Sequence, residues 1–177
     1  HRRLPSVVES MRPEPLGFTS ARGDNSRGPG PDISYLFRRR RIDSGGPGKY
    51  RGGLGMEIAI TPHDAPDGGL HYVVSGKGAK YSMSEGLGGG YPGAPNRYIW
   101  VHNNETSERN VDPSFALALE DMPGRTEDIS WGVFPLMGKD ALYVAWNGGG
   151  GFGDPLERDP EQVQTDVESR FVTREAA

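Results

Sequence analysis

Ala141-Leu142-Tyr143-Val144-Ala145-Trp146 runs straight into Asn147 and then Gly148-Gly149-Gly150-Gly151-Phe152-Gly153. Successive side chains of a strand point to opposite faces, so Leu142, Val144 and Trp146 share one face and Ala141, Tyr143 and Ala145 the other. Both faces are apolar, which predicts a central strand covered on both sides. Working outward, further strands are expected from Ile33, where Ile33, Tyr35 and Phe37 alternate with Ser34, Leu36 and Arg38, and over residues 56–61, 71–75, 98–102 and 114–119. Each is bounded by Gly, Pro, Asp or Asn, the residues that turn a chain. The expected fold is mainly β: a glycine-rich antiparallel domain over residues 33–177, preceded by an extended arm over residues 1–32 and closed by a short C-terminal helix.

Composition sets the outer limits. Of 177 residues, 34% are hydrophobic and 9% aromatic, with 27 Gly and 15 Pro; the aromatics fall in short apolar runs, as in a β domain rich in tight turns. A net charge of -4 offers no general attraction for nucleic acid. The absence of cysteine excludes disulfides, thiolate metal sites and a cysteine nucleophile. No apolar run approaches the roughly 18 residues of a spanning helix and no signal peptide is evident, so a soluble, cytoplasmic protein is expected. The chain begins at His1 rather than Met, and an upstream portion is expected to be missing.

Prolines and glycines throughout residues 1–32 break helix and strand alike, and the segment has too few apolar residues to order itself without a partner's surface. Arg22-Gly23-Asp24 within it is read as a chance tripeptide. Arg38-Arg39-Arg40-Arg41 alternates across a strand and is expected to form salt bridges to a neighbouring strand or a partner. Asp159-Pro160-Glu161 supplies an N-cap, a first-turn proline and an early acid, and Val163, Val167 and Phe171 follow at four-residue spacing, which predicts a helix over residues 160–170. Thr173 is placed to open a second helix where the chain stops. Asp154 is expected to fix the turn before that region.

The densest chemical signal is Asp43-Ser44-Gly45-Gly46-Pro47-Gly48-Lys49-Tyr50-Arg51-Gly52-Gly53-Leu54-Gly55. Its glycines serve positive φ or close backbone approach, and exposed amides with Lys49 and Arg51 as counter-charges would make an anion cradle. The spacing is not that of a P-loop, and a strand is expected to follow; the other reading is a structural hairpin or interface loop. Candidate binding residues are Asp43, Gly46, Lys49, Arg51, Gly150 and Asp154, with Gly148 to Gly153 either a connector or a place where another backbone or a ligand enters. His63-Asp64 with His71 reads as a polar hairpin tip rather than a metal cluster. Ser75-Gly76-Lys77-Gly78 and Ser82 lack the partner base a nucleophile needs. Asn104-Glu105-Thr106 is taken as a surface turn rather than a glycosylated site.

Residues 43–55, together with Gly148-Gly149-Gly150-Gly151-Phe152-Gly153-Asp154-Pro155-Leu156-Glu157-Arg158-Asp159-Pro160, closely resemble two signature segments of the hydantoinase B/oxoprolinase family. Gly88-Gly89-Gly90-Tyr91-Pro92-Gly93-Ala94-Pro95 looks like its third glycine-rich turn, in matching order, and the resemblance spans residues 33–177. It implies the C-terminal part of a longer polypeptide that pairs with a hydantoinase A-like, ATP-binding subunit. Family members include 5-oxoprolinases, N-methylhydantoinases, lactam-opening enzymes and the acetone and acetophenone carboxylases, which activate a carbonyl or enol oxygen by phosphorylation. The implied role is a small subunit or C-terminal module in a hetero-oligomer with that ATP-binding subunit and a larger hydantoinase B-like subunit, not active alone. ATP and a divalent metal would be bound by the partner chains, and none of His1, His63, His71 and His102 matches the family's metal ligands. The carboxylase branch is favoured over cyclic amide hydrolysis by the subunit-like length and the resemblance to acetophenone carboxylase relatives, not by any substrate-reading residue; a non-catalytic scaffold is the rival.

Overall fold

The computed structural model describes residues 32–63, 70–104 and 118–177. The arm before residue 32, with its Arg-Gly-Asp tripeptide, the tip at Asp64, most of the Asn104 sequon and the strand expected over residues 114–117 lie outside them; Leu119 itself opens a short 3-10 turn, Leu119–Asp121. Among the described residues seven strands form two antiparallel sheets: β1 (Asp32–Arg40), β2 (Met56–His63), β3 (Leu70–Val74), β4 (Arg97–His102), β5 (Arg125–Asp128), β6 (Gly132–Leu136) and β7 (Ala141–Ala145). One helix, α1 (Pro160–Glu168), follows.

The larger sheet has the order β1-β2-β7-β4-β5, and β3 pairs with β6 in the second. The expected central strand is central: every residue of β7 is buried, and it lies between β2 and β4. Its two faces divide as the alternation requires. Leu142 and Val144 join Ile58, Ile60, Val74, Ile129 and Leu136 in a core between the two sheets, with Trp100 and Phe134 packed on it. Ala141, Tyr143 and Ala145 join Phe37, Ala59, Ile99, Val101 and Met122 on the opposite face. Ile99, Leu142, Val101 and Val144 are fully buried, each contributing about 1.5–3 kcal/mol relative to exposure.

Two strands have no clear sequence signature. β5, Arg-Thr-Glu-Asp, is exposed along its whole length and among the described residues pairs only with β4, so it carries no apolar face to announce it. β6 contains Pro135, which reads as a strand breaker, but β6 has a single neighbour among the described residues and a proline is tolerated on such an edge. The helix stops at Glu168, two residues short of expectation, because Arg170 turns to positive φ (56°). The second helix expected at Thr173 is only a turn, with the Ala176 amide donating to the Thr173 carbonyl.

The strand order also decides where the glycine-rich segments meet. β2 begins just after Gly55, β4 begins just after Asn96, and β7 ends just before Trp146 and Asn147. Because the three strands are neighbours and antiparallel, all three glycine-rich segments emerge at the same end of the sheet.

Candidate functional site

At that end, residues 44–55, 84–95 and 147–153 leave the β ladder and bond to one another backbone to backbone. The Gly46 amide donates to the Gly149 carbonyl at 2.8 Å, Gly149 to Gly53 at 2.8 Å, Tyr91 to Pro47 at 2.8 Å, Gly151 to Tyr91 at 2.9 Å and Ala94 to Ser44 at 2.8 Å. Each segment is thereby tied to the other two. Glycine is required here by proximity rather than by φ: a Cβ on Gly148 would lie 1.8 Å from the Ser44 carbonyl oxygen, one on Gly150 1.9 Å from that of Glu85, and one on Gly151 2.0 Å from that of Pro47. None of these three has a positive φ. Backbones this close leave no room for side chains, so the hub is a core made of main chain.

Polar side chains at the strand ends hold the hub to the sheet. Ser44 is fully buried; its hydroxyl donates to the Arg41 carbonyl and accepts the Gly55 amide at 2.8 Å. The Asn96 carboxamide accepts the Asn147 amide at 2.6 Å, and the Asn147 side chain donates to the Ser84 hydroxyl at 2.8 Å. Sequence reasoning misses these residues; the one signal available for Asn96 and Asn147 is their place one or two residues outside an apolar run. The arginine run acts internally: Arg39 pairs with Glu57 on β2, Arg41 donates to the Pro95 carbonyl, and Arg40 lies over the Phe171 ring at 5.2 Å.

The six candidate residues all fall in or on this hub. The amides of Gly46 and Lys49, which an anion cradle would present, donate instead to the carbonyls of Gly149 and Gly153. Asp43, at φ 59°, accepts the Thr173 amide at 2.7 Å. Lys49 pairs with Glu157 at 3.0 Å on the surface, which raises its pKa through that hydrogen bond and charge. Arg51 meets Asp166 of α1 at 2.8 Å, and Arg158 meets the same carboxylate. Burial pushes the Asp166 carboxyl up, but the hydrogen bonds and charges of Arg51 and then Arg158 outweigh it, leaving it below its ordinary value. Gly150 packs against the 84–95 segment, and Asp154 caps the 3-10 turn Pro155–Glu157 by accepting the Leu156 amide at 2.9 Å.

Above the hub lies an apolar surface. Tyr50 and Phe152 bridge each other, Leu87 bridges Phe152 in parallel, and the Tyr50 and Phe152 rings are 6.4 Å apart. All three are more than half exposed, and Leu156, four residues beyond Phe152, is 92% exposed. Among the described residues no three His, Asp or Glu side chains converge as a metal site would require. No helix among them is long and apolar enough to cross a membrane.

Fold and hub define a structural class: an antiparallel β module whose strand ends are bound together by glycine-rich main chain. The chain belongs to the hydantoinase B/oxoprolinase family, whose description matches residues 33–155. It is 29% identical to the acetone carboxylase alpha subunit of Xanthobacter autotrophicus over 79% of this chain and 20% of that one. It is 30% identical to the acetophenone carboxylase delta subunit of Aromatoleum aromaticum over 76% of this chain and 21% of that one. It is 32% identical to a putative D-/L-hydantoinase component, of the B type, from a Pseudomonas species over 77% of this chain and 20% of that one. The fold superimposes on nucleotide-free acetone carboxylase with a TM-score of 0.63 at 30% identity, covering 81% of this chain and 20% of that one. The ATP-dependent caprolactamase of Pseudomonas jessenii shares the fold, with a TM-score of 0.57 at 23% identity over 82% of this chain and 22% of that one. The chain thus spans about a fifth of the length of the curated relatives it matches.

Proposed function

We propose that this chain serves as a small subunit or C-terminal hydantoinase B-like module of an ATP-dependent multi-subunit carboxylase of the acetone or acetophenone type, and that it holds larger chains together rather than performing the chemistry. Residues 33–177 form the module and residues 1–32 an attachment arm. Its partners are a hydantoinase A-like, ATP-binding subunit and a larger hydantoinase B-like chain, which bind ATP and the divalent metal in the cytoplasm. The observation that carries the reading is the apolar surface of Tyr50, Leu87 and Phe152, exposed over a hub that is otherwise close-packed main chain, with Leu156 almost fully exposed four residues further along. A contiguous apolar patch on a polar protein marks an interface. The second reading, ATP-dependent opening of a hydantoin, lactam or 5-oxoproline ring, is supported by the 32% identity to the hydantoinase component.

Native mass spectrometry of the protein purified gently from its source tests the assembly. Recovery in one complex with both partner types is the expected result. Isolation as a stable lone monomer would overturn it in favour of a stand-alone scaffold. With the complex in hand, ATP-dependent carboxylation of a ketone separates the first reading from ring opening of a cyclic amide.

A further inference from the structure

A second feature lies beside the hub, on the other side of Asn96, where residues 75–80 follow β3 and residues 129–131 link β5 to β6. Between them is a cavity of about 630 Å³, lined among others by Gly76, Lys77, Lys80, Arg97, Asp128 and Trp131. Three cations and one carboxylate thus line it in a chain of net charge -4. Asp128 is already paired with Arg97 at 3.3 Å, which leaves Lys77 and Lys80 uncompensated by a carboxylate among the described residues.

The loop that carries these lysines is held in place. Asn96, only 8% exposed, donates its side-chain amide to the Lys77 carbonyl at 2.8 Å, and its backbone amide donates to the Gly78 carbonyl at 2.7 Å. Gly76 packs so closely on the opposite wall that a Cβ there would lie 2.2 Å from the Ser130 carbonyl oxygen. Gly76 and Gly78 have φ of 65° and 70°, with Lys77 between them on the negative side. The Ala79 amide closes a tight turn on the Gly76 carbonyl at 3.3 Å, with Lys77 and Gly78 at its centre, and the positive φ of Gly78 is what such a turn asks of its third residue. Among the described residues the amides of Gly76, Lys77 and Gly78 donate to no protein acceptor, while all three carbonyls are engaged, that of Gly76 by the Ala79 amide. Trp131, on the facing wall, is 75% exposed, an indole face without a partner ring among the described residues.

We propose that this cavity binds a small planar organic anion, its ring against Trp131 and its phosphate or carboxylate on Lys77, Lys80 and the amides of residues 76–78. A stacked ring and a paired anion are the two contacts the walls provide. The site lies outside the glycine hub and does not depend on the assembly proposed above.

Calorimetric titration of the purified chain with AMP, with benzoate and with pyrophosphate tests it. Saturable binding of AMP or benzoate is expected, and which of them binds assigns the head group as phosphate or carboxylate. Lys77→Glu combined with Lys80→Glu should weaken that binding at least tenfold, and Trp131→Ala should do likewise, with unchanged circular dichroism. Absence of binding by both ring-bearing anions at millimolar concentration overturns the proposal. So does pyrophosphate binding as tightly as they do, or affinity that is indifferent to Lys77, Lys80 and Trp131. Because the titration uses the lone chain, failure to find partner subunits would leave its outcome untouched.

Discussion

Gly150 shows how much a single hydrogen atom in place of a methyl can carry. With the Glu85 carbonyl oxygen 1.9 Å from where its Cβ would stand, Gly150→Ala must push two backbones apart. We expect a loss of about 1–3 kcal/mol, the usual cost of overpacking, read as a lower urea midpoint. Gly53, in the neighbouring segment, has nothing within 4 Å of the place a methyl group would take and no positive φ, so Gly53→Ala should stay within about 0.5 kcal/mol of the parent. Equal effects of the two substitutions would refute the close-packed hub. The sequence shows that these glycines matter; it does not show which do so by proximity, because proximity depends on segments far away in the chain. Glu57 is equally hidden, a lone acid in a strand that reads as solvent-facing. It is buried, and Tyr143 donates its hydroxyl to it at 2.5 Å. Burial first, then that hydrogen bond and charge, hold the Tyr143 phenol far above its ordinary value near 10. A raised acid favours the folded state below its unfolded pKa and loses that contribution as pH rises beyond it, here above about pH 10. Tyr143→Phe should cost about 1–2 kcal/mol at pH 7, and its deficit against the parent should shrink in urea titrations above about pH 10.

At the scale of elements, the strands with alternating or continuous apolar residues are legible, as are the Asp159 cap and Pro160 at the start of α1. Where packing rather than pattern decides, the sequence is silent: β5 has no apolar face, and β6 hides behind Pro135. What fixes α1 to the hub is also invisible, because Arg51, Arg158 and Asp166 come from three separate segments. Asp166 accepts from both arginines, and Phe171 lies beneath Arg40 and Arg51. Its carboxyl is depressed, so its contribution is present above its ordinary pKa near 4 and lost as pH falls through the lower folded value. Asp166→Asn should therefore cost about 2 kcal/mol at pH 7, with faster amide exchange across α1. Below about pH 4 the variant and the parent should converge. A parent whose α1 protection is independent of pH in that range would show that the helix is held by apolar contacts alone.

The described residues form two cores of different make, side chains between the sheets and behind the larger one, and main chain at one end of the larger sheet. The candidate site is legible in sequence as a set of glycine motifs and a family resemblance. The apolar surface over them is not, since Tyr50, Leu87, Phe152 and Leu156 look in sequence like ordinary core residues. If that surface is an interface, Leu156→Asp should abolish recovery of the chain with larger subunits in native mass spectrometry. Its unfolding midpoint should barely move, because a side chain 92% exposed contributes little to the isolated fold. Retained co-purification would place the interface elsewhere.

The cross-bonded glycine segments also constrain the order in which the molecule can form. Each is joined to the others across long stretches of chain, and their glycines have no side chains with which to collapse early. Their closure has to wait until β2, β7 and β4 have met and brought the three strand ends together, and long-range closure of this kind slows folding. We expect the hub to close late in folding, with the docking of α1 on Arg51 following it, and a nascent chain emerging from the ribosome cannot complete it until residue 153 is available.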